Sequence, residues 1–185
     1  MKKTLLAAVC GILFAASARA GLVDLYVGAT GGLGNSVTYI PSGSLPNAKD
    51  LVKSGKSFGA VVGIDIPVVR IEGEYDYITA KNLNLNAAMA NVYIKWLPTP
   101  VVKPYIGAGA GMTFGGKIDS PILDVKFESS SAFQGMIGLQ VDIPATPLMF
   151  DLEWRAMYAA SVYEIVGKKV GFLQSDIRAK VRYVF

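Results

Sequence analysis

The chain has no histidine and a single cysteine among its 185 residues. Without imidazole it lacks the side chain that most often moves protons near neutral pH, and the commonest neutral metal ligand goes with it. The cysteine, Cys10, falls in an apolar N-terminal stretch that reads as removable. The exported chain is therefore expected to hold no disulfide, no thiolate nucleophile and no cysteine-based metal site. Charged residues make up 17% of the sequence against 52% hydrophobic, which excludes a disordered or nucleic-acid-coating protein. Beyond the N-terminal segment, no run approaches the roughly 18 consecutive apolar residues of a transmembrane helix, and helical periodicity is nearly absent. No cofactor and no metal are expected.

The N-terminus has the layout of a secretory signal. Lys2 and Lys3 form a charged region, residues 5–16 an apolar one, and Ala18-Arg19-Ala20 an A-x-A cleavage site before Gly21. Residues 1–20 are read as a signal peptide and residues 21–185 as one domain. Removing Lys2, Lys3 and Arg19 from 18 bases leaves 15 against 14 acids, so the mature chain is no polyanion-binding surface and no nucleic-acid partner is expected.

What is present is a period of two, sustained through eight segments. The third is the clearest: Val69, Ile71, Gly73, Tyr75 and Tyr77 share one face, and Arg70, Glu72, Glu74 and Asp76 the other. The last is similar, with Ile177, Ala179, Val181, Tyr183 and Phe185 opposed by Asp176, Arg178, Lys180 and Arg182. Soluble sandwiches and ligand-binding barrels also alternate, so the question is which face is the inside. An eight-stranded barrel has a lumen only wide enough for side chains to fill. The charged phase here is thinned by Gly28, Gly59, Gly63, Gly107, Gly109, Gly111 and Gly138, small residues suited to a confined space. The apolar phase instead places aromatics near segment ends: Phe58, Tyr75, Tyr77, Trp96, Phe114, Phe133, Phe150, Trp154, Tyr158, Tyr183 and Phe185. That is the layout of an aromatic girdle around a lipid band. The connections alternate long and short, as they do in transmembrane barrels, with long ones expected over residues 32–57 and 115–131 and a moderate one over residues 160–172. The fold class read from these features is all-β: an eight-stranded antiparallel up-and-down transmembrane barrel.

In this setting Arg70, Glu72, Glu74, Asp76, Lys95, Asp151, Glu153, Arg155, Asp176, Arg178, Lys180 and Arg182 are read as a lumen charge network. Buried charges tolerate a narrow space only when paired. Glu72 or Glu74 is expected to meet Arg178, Lys180 or Arg182 across the interior, while Arg155 and Lys95 neutralise other acids.

Three stretches carry a resemblance to a known group: Tyr26-Val27-Gly28-Ala29, then residues 103–111 (KPYIGAGAG), and the terminal Val181-Arg182-Tyr183-Val184-Phe185. They resemble the small outer-membrane β-barrel proteins of Gram-negative bacteria, the group of OmpX, the OmpA transmembrane domain and the opacity proteins. The resemblance spans residues 21–185. It implies residence in the outer membrane among lipid and lipopolysaccharide. Val181, Tyr183 and Phe185 are then the signal read by the barrel assembly machinery, after periplasmic chaperones have escorted the chain. It also implies a monomer whose loops meet host or envelope proteins.

Competing readings are weaker. Residues 27–34 (VGATGGLG) resemble a glycine-rich nucleotide-binding turn, but no helix follows and two prolines interrupt what does. Glu72, Glu74, Asp76, Asp151 and Glu153 offer carboxylates for acid–base chemistry, yet outer-membrane enzymes typically rely on a histidine, and none exists here. The chain is read as non-catalytic, with a structural or surface-interaction role or, as an alternative, a narrow diffusion channel. An internal repeat is also visible. Tyr26-Val27-Gly28-Ala29 returns as Tyr105-Ile106-Gly107-Ala108, and Asp65-Ile66-Pro67 as Asp142-Ile143-Pro144. Duplication of a four-stranded half and simple reuse of strand and turn residues account for it equally well.

Overall fold

The computed structural model describes residues 23–39, 52–80, 83–96, 101–117, 126–127, 129–165 and 168–185. The expected signal peptide lies outside the described residues. Among the described residues regular structure is β alone: β1 (Asp24–Tyr39), β2 (Val52–Asp65), β3 (Val69–Ala80), β4 (Leu83–Lys95), β5 (Val102–Lys117), the two-residue β6 (Lys126–Phe127), β7 (Ser130–Asp142), β8 (Leu148–Ile165) and β9 (Lys168–Val184).

Each long strand pairs antiparallel with its sequence neighbour, and β9 returns to pair with β1, closing a ring of eight. Strand β6 pairs with β8 beyond the end of β7, so it prolongs the β7 position in the wall. Closure removes every sheet edge within the ring, which is what allows a sheet to stand in a solvent without hydrogen-bonding capacity. Following partners around the ring from Val27 leads back to β1 at Val37, a stagger of ten residues. At about 3.3 Å per residue and 4.8 Å between strands, that stagger tilts the strands by roughly 40° and gives a backbone radius near 8 Å. Such a cylinder has room for side chains and little else.

The strands run longer than the alternation suggests. β1 continues to Tyr39 and β2 begins at Val52, inside the expected long connection. β8 and β9 extend to Ile165 and from Lys168, so residues 160–172 are mostly hairpin rather than loop. The expectation failed because the hydrophobic alternation marks only the stretch with two different surroundings. A backbone ladder needs no such contrast to continue.

Outward-facing side chains are apolar around the whole ring, among them Leu25, Val62, Ile71, Val92, Ile106, Ile137, Leu152 and Ile177. Phe58, Tyr75, Tyr77, Phe133 and Tyr158, with the half-buried Phe114, form a belt toward the long-connection end. Trp96, Phe150 and Tyr183, with the half-buried Phe185, form a second belt at the short-turn end. Carried through the register, the two belts stand about 20 Å apart along the axis, which suits the apolar band of a transmembrane barrel. Trp154 departs from the girdle expectation. It lies midway along β8 between Phe150 and Tyr158, opposite Ile137 and Ile177, and so belongs to neither belt. Its indole N–H donates to Ser175 Oγ at 2.9 Å, which lets a polar group stand on an apolar wall.

Candidate functional site

The lumen is built from four walls of two strands each. β1–β2 and β5–β7 face one another across the ring and carry the glycines, while β3–β4 and β8–β9 face one another and carry most of the charges. Glycine gives the space that long side chains from the other walls occupy. A Cβ at Gly107 would fall on the Tyr93 ring, one at Gly109 on Asn91 Oδ1, and one at Gly59 on Asp76 Oδ1.

All twelve residues of the expected charge network are buried and face inward. Arg155 forms a two-pronged pair with Asp176, Nε to Oδ1 and Nη2 to Oδ2 both at 2.9 Å, and donates through Nη1 to Asp76 at 2.5 Å. Arg178 donates to Glu74, to Asp76 Oδ1 at 2.6 Å and to Thr30 Oγ1 at 2.8 Å. Lys180 donates to Glu72 at 2.8 Å and stands 3.7 Å from Glu153. Arg182 holds Asp151 at 2.6 and 3.0 Å and reaches Asp65 at 3.3 Å. Lys95 pairs with Asp65, and Arg70 meets Asp151 at 3.2 Å. The Arg155–Asp176 and Arg182–Asp151 pairs are bidentate, a geometry that favours pairs removed from water.

Two rim acids that share the inward phase stand apart from this core. Asp24 is exposed, and Asp142 is half-buried against Lys103 at 2.5 Å. Inside, among the described residues, seven acids face six bases.

Three tyrosines complete the network, and sequence reasoning did not assign them there. Tyr26 and Tyr93 donate to the two oxygens of Glu72 at 2.7 and 2.9 Å, and Tyr105 donates to Glu153 at 3.0 Å. Arg70 lies between two of the rings, its guanidinium carbon 3.9 Å from the centroid of Tyr93 and 4.6 Å from that of Tyr105. Arg182 stacks 4.7 Å over Tyr26. The rings thus cover guanidinium faces that hydrogen bonds leave bare. The signal was available: all three tyrosines fall in the charged phase of their strands.

The repeated tetrapeptide now has a structural counterpart. Tyr26 packs over Gly63 of the next strand and bonds Glu72 of the strand after it; Tyr105 packs over Gly138 and bonds Glu153 in the same relation. Each half of the ring therefore contains one tyrosine–glycine–glutamate triplet. At both glycines an added Cβ would lie within 2.6 Å of the tyrosine ring. Gly63→Val and Gly138→Val are each expected to cost about 1–3 kcal/mol by overpacking, read from urea unfolding midpoints in detergent, whereas Gly135→Val, whose Cβ meets nothing within 4 Å, should be neutral.

Toward the long-connection end the lumen changes character. Loopward of Asp76, Arg155 and Asp176 lies a buried layer of uncharged residues: Ile78, Leu85, Ala87, Ala132, Met157 and Ala159 are each exposed by 1% or less, with Ser57, Thr113 and Gln174 among them. Ile78 pairs with Leu85, and Ala132 with Ala159. Among the described residues no group of three or more acids, histidines or cysteines could hold a metal ion. A groove of about 640 Å³ lies on the outer wall between Trp96 and Trp154, and so faces away from the network.

Val181 and Tyr183 point outward at the seam between β9 and β1. Phe185 stacks edge-on against Tyr183 at 5.2 Å, and its N–H donates to Leu25 O at 2.9 Å.

No family model matches the chain, and no curated protein matches it. Solved structures do. Neisserial surface protein A superposes with a TM-score of 0.66 at 18% identity, over 87% of this chain and 97% of that one. The N-terminal β-barrel domain of Pseudomonas aeruginosa OprF superposes with a TM-score of 0.54 at 11% identity, over 84% of this chain and 97% of that one. The chain thus has the fold of the small eight-stranded outer-membrane β-barrels.

Proposed function

We propose that the chain is an integral outer-membrane barrel of a Gram-negative bacterium, exported through a cleaved signal peptide, with a non-catalytic structural or surface-interaction role. One observation carries the reading: an apolar outer wall, bounded by two aromatic belts, encloses a lumen filled by mutually paired charges. Such an interior serves the wall that surrounds it. Among the described residues each buried carboxylate is engaged by a cation or a hydroxyl, which favours a structural over a catalytic use of these acids. The short turns then face the periplasm, and the longer connections carry contacts with lipopolysaccharide, host molecules or neighbouring envelope proteins. One protein of the same fold is a neisserial surface protein, which favours a role at the cell surface.

The alternative, a narrow diffusion channel, has the glycine-lined walls in its favour. Against it stands the packing of Arg70, Arg155, Arg178, Lys180 and Arg182, all fully buried. Mature protein is expected in the outer-membrane fraction, migrating faster on gels before boiling than after, and is expected to give no conductance steps in planar bilayers. Recovery as soluble periplasmic protein would refute the membrane assignment, and regular single-channel steps would move the role to the channel alternative.

A further inference from the structure

The two ends of the lumen differ in kind. At the short-turn end, inward side chains meet solvent: Asp24 is exposed, and Lys103 and Asp142 are each 20% exposed around their ion pair. At the opposite end Ile78, Leu85, Met157 and three alanines are shut off from solvent although they stand at the end of the charged column. A layer without charge that keeps out water also keeps out ions, because an ion entering it gives up hydration with nothing to replace it.

We infer that the lumen is a blind vestibule. It is sealed at the long-connection end by the uncharged layer of Ile78, Leu85, Ala87, Ala132, Met157 and Ala159, and it exchanges water and small ions through the short-turn end alone. This goes beyond the proposed role of the barrel, because it assigns the permeability barrier to a particular layer and a direction of access to the charge network. The pairs at the open end, Lys103–Asp142 and Lys95–Asp65, are the ones that meet salt and solvent first. Those at Arg155 and Arg178 lie deeper and stay dry.

The chain from residue 21 onward has no cysteine, so single introduced thiols report without background. Asp24→Cys and Lys103→Cys at the open end, and Ala87→Cys and Ala132→Cys in the layer, would be refolded in detergent and treated with a small charged methanethiosulfonate. Asp24→Cys and Lys103→Cys should label readily. Ala87→Cys and Ala132→Cys should label about a hundredfold more slowly in the folded barrel and at the same rate as the others after heat unfolding. The heat-induced mobility shift shows in the same samples that each barrel has closed; should either alanine variant fail to close, Ala159→Cys reads the same layer. Equal labelling at positions 103 and 132 overturns the seal. Protection at position 103 as deep as at 132 overturns the open end. Neither result bears on whether the barrel resides in the outer membrane, which fractionation decides separately.

Discussion

Replacing Arg178 with methionine is expected to lower the unfolding free energy of the barrel by about 3–5 kcal/mol, the usual cost of leaving a buried charge without its partner. Arg178 is fully buried and donates to Glu74, Asp76 and Thr30, so its loss leaves buried Glu74 without its nearest cation, while Asp76 keeps Arg155 alone. Among the described residues the interior already holds seven acids against six bases, and removing one base widens that imbalance. Adding Glu74→Gln to Arg178→Met should recover part of the loss, because the stranded charge disappears with its partner. Lys56→Gln, at an exposed outward position, should shift stability by no more than about 0.5 kcal/mol. Urea unfolding in detergent micelles measures all three. An Arg178→Met barrel with the wild-type midpoint would show that the network contributes nothing to stability.

Removal of Tyr183, Val184 and Phe185 is expected to reduce the amount of closed barrel in the outer membrane several-fold, far more than Phe58→Ala. The difference follows from what each change touches. Phe58 is an outward side chain whose loss leaves the ladder intact. The last three residues supply the ring's closing contacts: Tyr183 pairs with Val27 and with Leu148, Val184 with Tyr26, and the Val184 and Phe185 amides bond Pro147 O and Leu25 O. Their deletion exposes strand edges at the short-turn end, where an open edge in lipid is costly. If Val181, Tyr183 and Phe185 also serve as the assembly signal, Phe185→Ala alone should lower surface levels while leaving refolding in detergent unchanged. Equal surface levels for the truncated chain and Phe58→Ala would discard both arguments.

The orientation of nearly every strand was legible in the sequence, because Val69 to Tyr77 and Ile177 to Phe185 each meet two unlike environments on alternate residues. The cross-lumen meeting of Glu72 and Glu74 with Lys180 and Arg178 was legible to the same extent, since both sets share an inward phase. Which cation would meet which acid was not, because that depends on the ten-residue stagger, a property of the whole ring that no single strand carries. The inward tyrosines escaped notice because aromatic residues in a barrel suggest the lipid boundary. Ile78, Leu85 and Met157 escaped because an apolar residue in the inward phase looks like an interruption of the pattern. It becomes a layer only when Ile78 is paired with Leu85 and Ala132 with Ala159. Trp154 was misplaced because it shares the outward phase of β8 with Phe150 and Tyr158, and phase alone does not tell the middle of a strand from its ends.

The seam between β1 and β9 joins nearly the first described residues to the last. Every other neighbouring pair in the ring can form from chain segments close in sequence, and only this one waits for the end of the chain. Ring closure therefore carries the largest loop entropy of any step and comes last. Before it, the growing sheet presents two long unsatisfied edges, Asp24–Tyr39 and Lys168–Val184, each ready to pair with any other open strand. Crowding of incomplete chains is the hazard this topology creates, so productive yield should fall with protein concentration during refolding even where the finished barrel is monomeric.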